Sequence, residues 1–200
     1  MVSGLKEVIF AGRSNVGKST LFSKLFKVDV RKGKKPGTTI RINSFVCGGV
    51  KFSDLPGFGY VHGVSRNFNE RIKDFIVHYI ERNARRIVAA VEVIDAKSFV
   101  EIADRWDSRG YIPVEVEMFQ FLNEFGFRVF VAANKMDKVD DDRVLDEIAA
   151  RLGLDPPWTK WRHVIFPISA KKGEIDGLKR ALKSHLASLN LHEALRAFRS

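Results

Sequence analysis

Residues 11–20, AGRSNVGKST, come directly after the apolar run Glu7–Phe10, and they constrain the fold more than any other stretch. Glycine weakens helix starts, and serine alone could have capped one, so helix propensity does not explain two glycines here. Phosphate chemistry does. Gly12, Gly17, Lys18 and Ser19 fit G-x-x-x-x-G-K-[ST], a strand–loop–helix motif whose backbone N–H groups curl around a phosphate at the positive end of the helix. On this reading Gly12, Arg13, Ser14, Asn15, Val16, Gly17, Lys18, Ser19 and Thr20 form the cradle. Lys18 would reach the terminal phosphates and Ser19 would hold Mg²⁺. The alternative is an ordinary glycine-rich strand-to-helix turn.

A chain of 200 residues with 45% hydrophobic content and 16 phenylalanines is expected to form one domain, 1–200, with a substantial core. The longest apolar runs, such as Ile87–Val91, are too short to cross a bilayer. The opening MVSGLKEVIF has no apolar stretch of signal-peptide length, so the expected location is the cytoplasm, with no membrane partner. The single cysteine, Cys47, reads as a small hydrophobe. Thirty-four Lys and Arg against 24 Asp and Glu give a net +10. Such a balance serves solubility alone, or it matches a polyanion such as nucleic acid.

Strand and helix patterns alternate along the chain, as in an α/β sheet. KEVIFA reads as a strand and KSTLFSKLFK as the following helix; the basic RKGKKPGTT is a loop. IRINSFVC and VKFSDL are strands joined at Gly48-Gly49, a hairpin signal, and the glycine-rich PGFGYVHG is a loop. A helix over about 67–86 carries Phe68, Ile72, Phe75 and Tyr79 on one stripe. RIVAAVEVID and FRVFVAANK are apolar throughout, as central strands are. Between them a helix follows Pro113, while the connection 98–110 carries no motif and no assigned structure. A helix ending near Gly153, a strand HVIFPIS, and one closing helix over EIDGLKRALKSHLASLNLHEALRAF complete the chain.

Three further segments end predicted strands, where α/β folds bind ligands. Asp54-Leu55-Pro56-Gly57 gives D-x-x-G: the carboxylate can reach Mg²⁺ through water, and Gly57 lets an N–H approach a γ-phosphate. Asn134-Lys135-Met136-Asp137 supplies a carboxylate, Asp137, that can accept from guanine N1–H and N2–H₂ together. Asn134 would brace that loop and the Lys135 stem would cover the base. In Ser169-Ala170-Lys171 the Ala170 N–H could meet guanine O6.

These motifs, with a loop threonine, are the signature set of small GTPases, and GRSNVGKST, KPGTT followed by IN, and DLPGFGY resemble the EngB family of GTP-binding proteins over nearly the whole chain. The resemblance implies a Ras-like P-loop fold: a six-stranded, mostly parallel sheet with one antiparallel strand and helices on both faces. It implies Mg²⁺-dependent GTP binding and hydrolysis to GDP, and a role in large ribosomal subunit assembly and in cell division (septation). It adds Gly37 and Thr38 to the nucleotide site and places Thr39, rather than Thr38, as the switch threonine that joins Ser19 and Asp54 at Mg²⁺. The catalytic set is then Lys18, Thr39, Gly57 and Asn15, the last matching an asparagine that seats K⁺ in potassium-activated relatives; a turn-forming Asn is the other reading. Ras-type enzymes place a water-orienting glutamine after D-x-x-G, where this chain has Phe58, so slow hydrolysis is expected. The expected partner is the large ribosomal subunit or its precursor, met through ribosomal RNA by the run Arg31–Lys35 and by Lys179, Arg180, Lys183, Arg196 and Arg199, with the protein a monomer. Two other readings stay open: a phosphate-loop ATPase or small-molecule kinase, and a basic RNA-binding scaffold with a vestigial nucleotide site.

Overall fold

The structure, a computed structural model, describes residues 4–27, 40–59 and 66–199. Gly37, Thr38, Thr39, the basic run 31–35 and residues 60–63 of the second glycine-rich loop lie outside the described residues.

Twelve regular elements follow in order: β1 (Lys6–Gly12), α1 (Lys18–Leu25), β2 (Asn43–Cys47), β3 (Val50–Asp54), α2 (Arg66–Asn83), β4 (Ile87–Asp95), α3 (Phe99–Asp107), α4 (Val114–Glu124), β5 (Arg128–Asn134), α5 (Arg143–Arg151), β6 (Ile165–Pro167) and α6 (Asp176–Ser188). The strands form one sheet in the order β2-β3-β1-β4-β5-β6. Every pairing is parallel except β2 with β3. That pair is the expected hairpin: Gly48 and Gly49 take φ 53° and 77°, the left-handed pair a tight two-residue turn requires, and Cys47 pairs with Val50 across it.

The apolar strands β1, β4 and β5 sort their side chains to two faces by simple alternation. Ile9, Ala11, Ala90, Ile94, Val129 and Val131 pack under α2, α3, α4 and α5. Val8, Phe10, Val91, Val93, Phe130 and Ala132 pack under α1 and α6. On the second face the phenylalanine-rich composition finds its use. Phe26 stands within 4.6–5.8 Å, centroid to centroid, of Phe10, Phe22, Phe45, Phe52 and Phe198, mostly in edge or tilted contacts.

Two expectations change. The connection 98–110 contains a helix, α3, whose Phe99 and Ala103 are buried and whose Asp104 pairs with Arg151 at the end of α5. The single closing helix is two pieces: α6 ends at Ser188, and a 3-10 turn spans His192–Ala197. Asn190 adopts φ 59°, and the Leu191 N–H returns to Leu186 O, so a left-handed stop turns the chain back onto the sheet. Helix periodicity alone does not reveal such a stop when the residue beyond it is apolar.

One core feature runs against the pattern. Glu92, in the centre of β4, is fully buried and neither carboxyl oxygen has a hydrogen-bond partner among the described residues. Burial pushes its carboxyl well above the ordinary range, and the neighbouring Glu115 of α4 adds to the effect. Glu115 is raised too, by burial, although the Arg13 guanidinium 3.2 Å from its Oε1 pulls the other way. With its carboxyl raised in the fold, Glu92 carries no linkage penalty while the unfolded chain is also protonated, and stability is lost as pH climbs from the ordinary value of 4.5 toward the raised one. Melting temperature should therefore fall less steeply over that rise in Glu92→Gln than in the unaltered protein. Thermal melts at a series of pH values check it, and parallel slopes would contradict it.

Candidate functional site

The carboxyl ends of β1, β3 and β5, with the turn after β6, converge on one edge of the sheet. There β1 runs into the phosphate loop, and α1 begins at Lys18. Gly17 takes φ 93°, and a Cβ on it would strike the Asn134 side chain, so both the backbone angle and the space demand glycine. Lys18 is 7% exposed, its ammonium held by Asp54 Oδ1 and by the carbonyl of Leu55. Ser19 donates to Asp54 Oδ2 at 2.7 Å. The phosphate loop and D-x-x-G loop are thus locked edge to edge, and their backbones join as well: Ser14 N–H to Phe58 O at 3.0 Å and Phe58 N–H to Gly12 O at 3.3 Å. Gly57 lies so close to Ser14 that a Cβ would come within 2.8 Å of its hydroxyl.

Asn134 is the brace. Its carboxamide, in a residue 3% exposed, donates from Nδ2 to Val16 O at 2.7 Å and accepts on Oδ1 from the Ala170 N–H at 2.9 Å. One side chain therefore ties the phosphate loop and the Ser169-Ala170-Lys171 turn to the end of β5. The Ala170 N–H, expected to face a base oxygen, is engaged in this internal bond instead. Lys135 sits at φ 69° and reaches back to Asn15 O at 2.9 Å and to Asp95 at the end of β4. Asp137 accepts from the Ser169 hydroxyl at 2.6 Å, and that bond, more than the nearby Lys172 and Lys138, holds its carboxyl below the usual range. Asp137 is therefore a fixed, ionised acceptor.

The structure brings together the described candidates of all four segments: Gly12 to Thr20, Asp54 to Gly57, Asn134 to Asp137, and Ser169 to Lys171. Asn15, at φ 68°, lies in the left-handed region that Asn tolerates in turns. Ser19 and Asp54 offer a hydroxyl and a carboxylate, the hard oxygen donors Mg²⁺ takes alongside phosphate oxygens and water. Among the described residues no group of three or more His, Cys, Asp or Glu could hold a metal, so the donor set suits an ion brought in with phosphates. Two residues escaped the sequence reading. Asp95 ends an apolar strand just as Asp54 does, but belongs to no spaced motif. Glu115 lies on α4, a helix that no motif links to the Arg13 it contacts.

The family model described as 50S ribosome-binding GTPase matches residues 7–135. A protein of Archaeoglobus fulgidus named "Probable GTP-binding protein EngB" is 72% identical over 195 residues, covering 98% of this chain and 99% of the relative. The chain belongs to the EngB family of GTP-binding proteins. Its Methanosarcina mazei relative of the same name is 54% identical over 183 residues, covering 90% of this chain and 88% of the other. A crystal structure of a probable EngB superposes with a TM-score of 0.83 at 43% identity, covering 91% of this chain and 99% of that one. The six-stranded sheet is thus that of a Ras-like GTPase, as the motifs implied, and GTP is the nucleotide the EngB family handles. Among the described residues no helix is long and apolar enough to cross a membrane.

The brace makes a direct expectation for this EngB-family site. Asn134→Ala leaves Val16 O and the Ala170 N–H unpaired in a buried place, at a cost of about 1–3 kcal/mol for each group. Denaturant melts should show lower stability, and titration with GDP should show weaker binding. A variant equal to the parent in both would mean that the loops hold each other without Asn134.

Proposed function

We propose that this EngB-family GTPase acts as a nucleotide switch in assembly of the large ribosomal subunit, with a consequent role in cell division, and that the residues gathered at the sheet edge carry the roles the motifs suggest. The observation that carries the nucleotide reading is the convergence on one edge of an ionised, anchored Asp137 with the Lys18–Ser19–Asp54 cluster. Asp137 accepts both donors of the guanine edge, a pairing adenine does not offer, which disfavours an ATPase or kinase. Lys18 exchanges its protein carbonyl and carboxylate partners for phosphate oxygens. Ser19 and Asp54, with Thr39, would hold Mg²⁺, which would supply positive charge beside the transferring phosphoryl group. Gly37 and Thr38 stay with the nucleotide site through the resemblance.

Phe58 supports slow hydrolysis. It is 1% exposed and packs in the core, so the position where Ras-type enzymes orient the attacking water offers no polar group. Asn15 has its left-handed backbone explained by the turn and its main-chain carbonyl engaged by Lys135, so the case for K⁺ there rests on the resemblance alone.

The ribosomal partner draws support from the matched family's description as 50S ribosome-binding and from the +10 charge. It also sets this reading against a scaffold with a vestigial site. A working switch binds subunits according to nucleotide; a scaffold binds RNA indifferently. Sedimentation with large subunits should be strong with a non-hydrolysable GTP analogue and weak with GDP, and equal pelleting in the two states would favour the scaffold.

Base specificity is checked separately. Asp137→Asn should weaken GTP by about 2–5 kcal/mol and favour xanthosine nucleotides, whose O2 accepts where guanine donates. Isothermal titration measures both affinities, and unchanged GTP binding would remove Asp137 from its role.

A further inference from the structure

The pole of the sheet opposite the nucleotide site carries a groove that none of the signature motifs touches. It lies at the amino ends of β5 and β6, with a volume of about 970 Å³. Phe119, Phe127, Leu154, Arg128 and His185 are among the residues that line it, with Trp161, which packs in part against the core and donates its indole N–H to Asp155 O at 2.9 Å. A second hollow of about 390 Å³ adjoins it, bounded by Arg162, His163, Ser184 and Ser188, and Arg128 and His185 form the wall common to both. Since β5 runs from Arg128 to Asn134, the groove and Asn134 stand a full strand apart, roughly 20 Å.

Three cations at this pole are uncompensated among the described residues. Arg128 donates to the carbonyl of His163 at 2.6 Å and lies 5.4 Å from the Phe130 ring centroid. Arg162 lies 5.6 Å over Trp158, and Lys160 donates to the carbonyl of Pro156 at 3.0 Å. None of the three forms an ion pair with a carboxylate among the described residues, whereas Arg13, Lys73, Arg105, Arg143 and Arg151 do. Glu124 is the single carboxylate among the described residues that line the groove. The aromatic rings interleave with these cations: Trp161 and His163 stand 5.9 Å apart, tilted by 32°. The segment Pro157–His163, PWTKWRH, thus alternates flat rings with positive charge beside a hollow lined in part by Phe119, Phe127 and Leu154.

That combination fits one class of ligand. Single-stranded nucleic acid presents flat faces that stack on Trp, His and guanidinium planes, and phosphates that seek unpaired cations. An acidic peptide would satisfy the charges but would leave the ring faces without a matching surface. We propose that this groove binds a short single-stranded segment of RNA, with bases stacked along Trp161 and His163 and phosphates on Lys160, Arg162 and Arg128. The inference rests on the ribosomal reading above, and it names a binding surface that reading did not contain. Because the groove lies away from the nucleotide-contacting loops, its contact with single-stranded RNA does not itself change with nucleotide, and firm subunit binding needs the nucleotide-dependent contacts as well.

The test uses the full chain and a fluorescent single-stranded RNA of roughly twelve nucleotides, read by anisotropy. Trp161→Ala should weaken binding roughly five- to a hundred-fold, and Trp161→Phe should restore most of it. Lys160→Gln with Arg162→Gln, both exposed, should lower the slope of log K against log salt by about 0.7 for each phosphate that is no longer neutralised. GTP affinity and turnover should match the parent in all three variants, and the weakening should be equal with GDP and with the GTP analogue. RNA binding left intact by both the alanine and the double glutamine variants overturns the proposal. So does a parent protein that pellets with subunits yet ignores the oligonucleotide: the ribosomal reading would then survive and the groove would serve a protein. If the parent pellets with no subunit, the ribosomal reading fails and the anisotropy series still decides the groove.

Discussion

The carboxamide of Asn134 is the joint on which the site depends. A buried amide with both ends engaged acts in two directions: its NH₂ holds the carbonyl of Val16 and its oxygen holds the N–H of Ala170. Neither bond would exist without the parallel sheet, which delivers β1, β5 and β6 to the same edge with their carboxyl ends level. Nor could the amide come so near if Gly17 had a side chain. Sheet order, glycine placement and one polar side chain are therefore a single requirement seen at three scales.

Much of this was legible in the sequence, for a physical reason. Phosphate-binding turns need glycines at fixed intervals, and base recognition needs a carboxylate beside a bracing amide, so the chemistry leaves spaced letters at Gly12, Gly17, Lys18, Asp54, Asn134 and Asp137. Continuous apolar runs marked β4 and β5 because strands covered on both faces have no polar side to show. What escaped was set by tertiary packing. Helix α3 is held by Phe99 beneath it and by Asp104 against Arg151, contacts between segments far apart in the chain. The break after Ser188 depends on a left-handed Asn190 that nothing nearby announces. The partner of Asn134 Oδ1 was not legible either, because a backbone N–H carries no letter of its own.

The Arg13–Glu115–Glu92 cluster shows where the phosphate loop meets the core on its other side. Arg13 lies beneath Gly59, where a Cβ would stand 3.0 Å from its Nε, and reaches Glu115 on α4. Burying carboxyls without partners destabilises a fold, and burial raises the Glu92 carboxyl so that its neutral form is favoured. Its neighbour Glu115 pairs with Arg13 and so gives the phosphate loop a charged footing on α4.

The phenylalanine cluster on the opposite face has a bearing on how the molecule comes into being. Phe198 pairs with Phe26 as an isolated bridge, the Arg199 N–H caps Leu25 O, and the Arg199 side chain reaches Phe26 O across 173 positions of sequence. The helix that presents Lys18 and Ser19 is therefore secured from behind by residues 173 positions further along the chain. Closing so long a span carries an entropic cost that only the completed aromatic layer offsets. A growing chain makes its phosphate-loop sequence well before Phe198 and Arg199, so the seat behind that loop closes only once those residues have emerged.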